Sequence, residues 1–286
     1  MKTIAVVNHK GGVGKTTLTF NLARWLSTQK RTTLAVDNDP QANLTLSLLN
    51  GRSLLEANVL HAYENKPVVP QRVSENLYLL GSDITLATVA EKGFGVIYRL
   101  RELLQRLKRI EFAIPIEYVL IDCLPSIGYL HMAALNAADY VLIPIKPSPY
   151  ALAGMNDLFS TIRRTRKRLN PHLKVLGIVL NQVDGRKPRL EQRLRSALKA
   201  NFGRLVFNSR LNRRIHFEES PALHKGIVEF APNGLSAMEF LSFASELMCR
   251  MDSPHNASDE TRFRGKAVIS HPLDSIFSRS QLGGET

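Results

Sequence analysis

The chain has 286 residues, 44% of them hydrophobic, two cysteines and a formal net charge of +13. That length suits one large α/β domain, or a domain followed by a tail, with ample apolar content for a core. Two distant cysteines, Cys123 and Cys249, fit a reducing cytoplasm better than a disulfide framework; no run approaches the roughly 20 apolar residues that span a bilayer, and no leader peptide is visible before the first strand.

In chain order, the apolar run Thr3–Val7 reads as a buried strand and residues 15–30, with Leu18, Leu22, Trp25 and Leu26, as a helix. Strands are then expected at 33–37, 77–80, 118–122, 140–144 and 174–180, and helices at 95–109, 127–138, 151–169, 188–201 and 234–251. Continuous Val/Ile/Leu runs suit strands covered on both faces, and their alternation with helices predicts a doubly wound, mostly parallel sheet in a single domain. The domain is expected to span 1–251, and 252–286, rich in Ser, Asp, Asn, Pro and Gly, to be a disordered tail. There is no internal repeat.

Between the first strand and helix lies Asn8-His9-Lys10-Gly11-Gly12-Val13-Gly14-Lys15-Thr16-Thr17. Strand, glycine loop and helix in that order build a phosphate cradle. Backbone N–H groups turn toward the anion and the helix N-terminus adds partial positive charge. In this P-loop pattern Lys15 reaches the β- and γ-phosphates and the Thr16 hydroxyl ligates Mg²⁺. The pattern's first glycine is replaced by His9, and an extra lysine, Lys10, precedes Gly11.

Lys10–Thr17 resembles the deviant Walker A motif of the ParA/MinD family of ATPases. The resemblance implies that Gly11, Gly12, Val13, Gly14, Lys15, Thr16 and Thr17 hold ATP. It also implies that Lys10 reaches across an ATP-closed homodimer to the partner's phosphates. Val36-Asp37-Asn38-Asp39-Pro40-Gln41-Ala42-Asn43 resembles the family's switch segment, which makes Asp39 the catalytic residue acting on the attacking water and Asp37 its metal-side companion. By itself Asp37-Asn38-Asp39 would serve equally as a capped turn. Val119-Leu120-Ile121-Asp122 follows Walker B logic, a carboxylate at a strand end holding Mg²⁺. The family's next Pro-Pro is Leu124-Pro125 here. Asn181 resembles the family residue that hydrogen-bonds adenine, though a strand-end Asn is also a turn former. Residues 215–226 resemble a segment beside the nucleotide and dimer interface: Glu219, Pro221 and Lys225 match, while His216 replaces Arg and His224 replaces Gly. The resemblance covers residues 1 to about 250.

The excess charge sits in residues 151–251, with 18 Lys/Arg against 8 Asp/Glu. Arg163, Arg164, Arg166, Lys167 and Arg168 crowd one helix end. Arg186, Lys187, Arg189, Arg193, Arg195, Lys199, Arg204, Arg210, Arg213 and Arg214 follow, with Glu191 the sole acid between Asp184 and Glu218. Some of this is a solvated helix face. A field so poor in acids and aromatics also suits non-specific double-stranded DNA, with Arg186, Lys187, Arg189, Arg193, Arg213 and Arg214 as candidate contacts.

Two functions are therefore expected to compete. One is a ParA-like, nucleoid-associated ATPase that positions a plasmid, chromosome region or other cargo, with slow Mg²⁺-dependent hydrolysis stimulated by a ParB-like partner. The other is a MinD-like ATPase acting on a membrane surface. For the second, the tail offers Leu273, Ile276 and Phe277 but only Arg279 as a nearby base, so a membrane partner is not expected. A metal-delivery relative would need paired cysteines, which the chain lacks.

Overall fold

A computed structural model describes residues 1–54, 56–109, 115–148 and 150–252. Strands β1 (Lys2–Val6), β2 (Thr33–Asn38), β3 (Gln71–Ser74), β4 (Leu77–Leu80), β5 (Tyr118–Cys123), β6 (Tyr140–Ile145), β7 (Lys174–Val183) and β8 (Val206–Asn212) form one sheet in the order β3-β4-β2-β5-β1-β6-β7-β8. All neighbours are parallel except β3 and β4. The helices are α1 (Lys15–Thr28), α2 (Asn43–Leu49), α3 (Val59–Tyr63), α4 (Arg99–Arg109), α5 (Tyr129–Ala137), α6 (Ala153–Arg168), α7 (Pro188–Phe202), α8 (His216–Ala222), α9 (Ile227–Phe230) and α10 (Leu235–Asp252).

Strand side chains alternate between two cores, as a period of two requires. Ile4, Val6, Ala35, Leu120 and Leu142 pack under α1, α2 and α10, against Leu18, Leu22, Leu44, Phe240 and Phe243. Ala5, Leu34, Val36, Val119, Ile121 and Val141 pack under α3 to α7, against Leu103, Ala134, Leu158 and Leu198. A sheet covered twice explains why its central strands read as unbroken apolar runs. The chain winds outward from β1 in both directions, which opens a crevice at the carboxyl ends of β1, β5 and β2. The register aligns Val6 with Asp122 and Asp122 with Asp37, so both acids arrive at that edge together.

Every expected strand and long helix is present within a few residues, with one change of type: residues 94–98 form a 3-10 turn ahead of α4. Strands β3 and β8 and helices α2, α3, α8 and α9 are additional. The expected tail, apart from Asp252 at the end of α10, lies outside the described residues. Among the described residues no helix is long and apolar enough to cross a membrane.

The β8 edge is closed by side chains instead of another strand. Glu246 of α10 accepts from the Asn208 and Ser209 amides at 2.9 and 2.8 Å and from the Ser209 hydroxyl at 2.8 Å, while Glu239 accepts from the Asn212 amide at 3.1 Å. These carboxylates occupy amides that could otherwise recruit a foreign strand. Burial raises the pKa of Glu246, but its hydrogen bonds outweigh that and hold it below the usual carboxylate value. Glu246→Ala is expected to lower the unfolding free energy by about 1.5–3 kcal/mol, read from denaturant midpoints. Because the folded value is depressed, this contribution is complete above the unfolded value near 4.5 and is lost as pH falls through the folded one. The variant's deficit should therefore shrink in acid.

Candidate nucleotide site

The loop from β1 to α1 is held at both ends. Asn8 is buried, donates from Nδ2 to the Pro144 carbonyl at 2.7 Å and accepts the Lys10 amide at 2.9 Å. At the far end, two β7 side chains grip loop carbonyls: Asn181 Nδ2 donates to Val13 at 2.8 Å and Gln182 Nε2 to Gly12 at 3.1 Å. Gly12 and Gly14 have φ of +69° and +87°, and a Cβ on Gly14 would lie 2.3 Å from Asn181 Nδ2. Only glycine permits both that turn and that approach.

Lys15 is buried, with Nζ donating to the Lys10 carbonyl at 3.2 Å. Desolvation lowers its pKa against the pull of Asp122, Cys123 and Asp39. A desolvated ammonium behind a ring of backbone amides is arranged to meet an anion. Gly11, Gly12 and Lys10 are exposed, and Lys10 Nζ donates to Ser148 Oγ at 3.1 Å. Thr16 and Thr17 are half-buried at the start of α1.

Thr16 Oγ1 donates to Asp122 Oδ2 at 2.7 Å. Asp122 Oδ1 is buried and has no hydrogen-bond partner. Burial, then the neighbouring charge of Asp37, drives the Asp122 pKa well upward. A buried carboxylate oxygen left unpaired is costly, and a cation beside it removes the cost. Among the described residues no group of three or more His, Cys, Asp or Glu could hold a metal unaided. The oxygen pair of Thr16 and Asp122 nevertheless fits Mg²⁺, which takes one or two protein oxygens and completes its shell with phosphate and water.

Asp37, expected as the metal-side companion of Asp39, lies in register with Asp122 and is bonded to the chain that enters α2. It is fully buried, and Oδ2 accepts the Thr45 amide and hydroxyl at 2.8 and 2.7 Å while Oδ1 accepts the Asp39 amide at 3.3 Å. Both oxygens are thus committed to the chain that enters α2. Burial pushes its pKa up to about 6 despite those bonds. Asp39 is half-buried and accepts the Gln41 amide at 2.9 Å.

The candidate DNA residues fall into two groups. Arg186, Lys187, Arg189 and Arg193 lie exposed at the start of α7, whose opposite side buries Glu191, Leu194 and Leu198. Arg186 is paired with Asp184 at 2.9 Å; Lys187, Arg189 and Arg193 make no ion pair among the described residues. Arg213 and Arg214 instead line a cleft beside the phosphate loop, together with Thr17, Asn181 and Phe217. Arg214 is pinned there by Glu239 at 2.5 Å. β8 runs parallel to β7 and brings them to the crevice edge of the sheet. His216 Nδ1 lies 3.2 Å from Ser236 Oγ, and His224 Nδ1 lies 2.9 Å from the Ser47 carbonyl.

Sequence reasoning gave no role to Thr45, Gln182 or Asn8, although Asn8 opens the glycine-loop stretch, because each acts by meeting a distant segment. Gly14→Ala should lower stability without ligand by about 1–3 kcal/mol, through the strained φ and the collision with Asn181. Gly11→Ala, with no atom within 4 Å of its Cβ position, should stay within about 0.5 kcal/mol in the same thermal melts.

A family model described as an AAA domain matches residues 1–175. The chain is 35% identical to the chromosome-partitioning ATPase Soj of Thermus thermophilus, over 88% of this chain and 97% of that one. It is 32% identical to the chromosome partitioning protein ParA of Caulobacter vibrioides, over 87% and 95%. Among solved structures, cobyrinic acid a,c-diamide synthase from Mycobacterium smegmatis with bound ATP analogue and magnesium superposes with a TM-score of 0.73, at 27% identity over 88% of this chain and 96% of that one. Likeness at this level over nearly the whole length of the two partition proteins means that the chain belongs to the ParA/Soj family of partition ATPases.

Proposed function

We propose that this protein is a Mg²⁺-dependent ATPase that closes into a homodimer on ATP, binds double-stranded DNA without sequence preference, and positions a cargo. The observation that carries the nucleotide reading is the unpartnered oxygen of Asp122 opposite the Thr16 hydroxyl, at the foot of the loop that presents Lys15. Mg²⁺ held by Thr16 and Asp122 would neutralise phosphate charge there. The loop amides from Gly11 to Thr17 cradle the phosphates, and Lys15 takes the β- and γ-oxygens. Asp39, at the exposed end of the switch segment, orients the attacking water and takes up its proton. Asp37 sets that segment by holding Thr45 and the Asp39 amide. Lys10, exposed at the loop tip, reaches the partner subunit's phosphates. Asn181 keeps its Oδ1 for the adenine amino group while its Nδ2 holds the loop, and Arg213 and Arg214 border the same cleft. The ATPase domain spans 1–251, with 252–286 as a tail.

The exposed basic start of α7 is the DNA surface, with Arg189 and Arg193 one turn apart. The similar partition proteins favour DNA over a membrane as the platform, hence a cytoplasmic, nucleoid-associated protein. Turnover is slow until a cargo-bound, ParB-like protein stimulates it.

Co-sedimentation with random-sequence DNA and with anionic liposomes, under ATP, ADP and no nucleotide, tests this reading. Salt-sensitive DNA binding that requires ATP supports it; liposome binding without DNA binding replaces it with a MinD-like surface ATPase. Lys15→Ala should abolish binding of a fluorescent ATP analogue. Asp39→Ala should retain that binding but lose about 10²-fold or more in turnover and stay dimeric on DNA; failure to bind ATP would remove Asp39 from the catalytic role. Replacing Arg189 and Arg193 together by Ala should weaken DNA binding and lower the salt-dependence slope by about 2, with ATP-dependent dimerisation intact by light scattering.

A further inference from the structure

His9 occupies the loop position where the general phosphate-loop pattern has glycine, and its Nε2 is buried without a partner. Its ring meets His131 in the first turn of α5, with centroids 5.1 Å apart and planes inclined at 58°. His131 is fully buried, and neither of its ring nitrogens has a partner. Burial lowers both pKa values, that of His131 to about 3, with His9 and Lys15 adding to the effect there. The rings therefore meet uncharged at neutral pH. Three ring nitrogens at this contact make no hydrogen bond, so what the two side chains supply each other is ring packing.

The surroundings show what that packing holds in place. Asn8 is tied to β6, and Lys10 is tied back to Asn8, so residues 8–10 form a short rigid limb with His9 at its centre. Gly11 and Gly12, with no atom within 4 Å of their Cβ positions, join it to a second limb. That second limb, from Val13 to Lys15, is gripped by Asn181 at the Val13 carbonyl, and Gln182 holds the Gly12 carbonyl at the joint. The first limb carries Lys10. Its ring contact is with α5, which starts just beyond the loop that follows Asp122.

We propose that His131 is a positioning residue: through the ring of His9 it fixes the limb that aims Lys10, which meets the limb that holds Lys15 at the bond from Lys15 Nζ to the Lys10 carbonyl. This rests on the reading of Lys10 as the lysine that reaches the partner subunit's ATP. Disturbing the contact then leaves phosphate binding by one subunit in place and impairs closure of two subunits.

The test compares wild type, His9→Ala, His131→Ala, the double variant and His131→Phe. Affinity for a fluorescent ATP analogue, ATP-dependent self-association and steady-state turnover are read for each. Either Ala variant should keep the analogue affinity within about threefold and lose about tenfold in kcat and in self-association. The double variant should be no worse than either single one, since both remove one contact. His131→Phe, which restores a ring, should recover most of the loss. Affinity falling in parallel with kcat, turnover within about twofold of wild type, or a multiplied loss in the double variant overturns the proposal. If His131→Ala does not fold, His9→Ala, on a half-exposed loop position, carries the same test. Wild-type protein that binds no analogue would overturn the nucleotide reading itself, and this proposal with it.

Discussion

Asp37 and Asp122 stand side by side in register at the ends of β2 and β5, and both are sealed from water. Two carboxylates so placed cannot both ionise cheaply, and burial drives both pKa values upward. For Asp37 the folded state holds its proton more tightly than the unfolded chain. Ionisation therefore costs stability progressively as pH rises from 3.8 to about 6. The surrounding structure limits this cost. Thr45 brings two donors to Asp37, Thr16 brings one to Asp122, and Lys15 sits behind the pair. One oxygen remains unsatisfied, and it points the site toward a cation. The phosphate loop, the switch segment and the crevice between strands all converge on this pair.

The central strands were legible because a sheet covered on both faces leaves little choice but Val, Ile and Leu along its length. What escaped was decided by tertiary partners. In β8 the middle residues Asn208, Ser209 and Arg210 break the apolar pattern; the strand sits at an edge, and Glu246 and Glu191 from flanking helices meet its polar groups. Helix α2 has only seven residues, too few for a helical period to declare itself, and its Thr45 is anchored by Asp37. Helix α8 also has only seven residues and carries Pro221 inside it.

The site divides in the same way. Lys10, Lys15, Thr16, Asp39 and Asp122 are nominated by contiguous stretches whose order suggests a phosphate loop, a switch and a strand end. Asn181 was read as a base contact, and its Nδ2 is the clamp on the Val13 carbonyl; that meeting of β7 with the loop spans 168 residues and leaves no trace in local sequence. Arg213 and Arg214 are nominated by charge alone, and their place beside the crevice comes from the parallel pairing of β8 with β7.

The short helices after β8 link what the motifs leave separate. The Ile227 amide donates to Asn21 Oδ1 at 2.6 Å, and Glu229 pairs with Arg24 at 2.8 Å, so α9 is fastened to the helix that begins at Lys15. One turn earlier His224, held at a φ of +55°, meets the Ser47 carbonyl near the end of α2. That carbonyl is one of the last-turn acceptors a helix cannot satisfy internally. Helix α2 is thus fixed at its start by the buried Asp37 and near its end by a histidine whose backbone is strained. At the other end of α8, His216 reaches Ser236 on α10. A displacement of the Asp39 segment that carries α2 with it must therefore break the His224 contact or move α8 as well, and α8 touches, through His216, the helix whose carboxylates close the β8 edge.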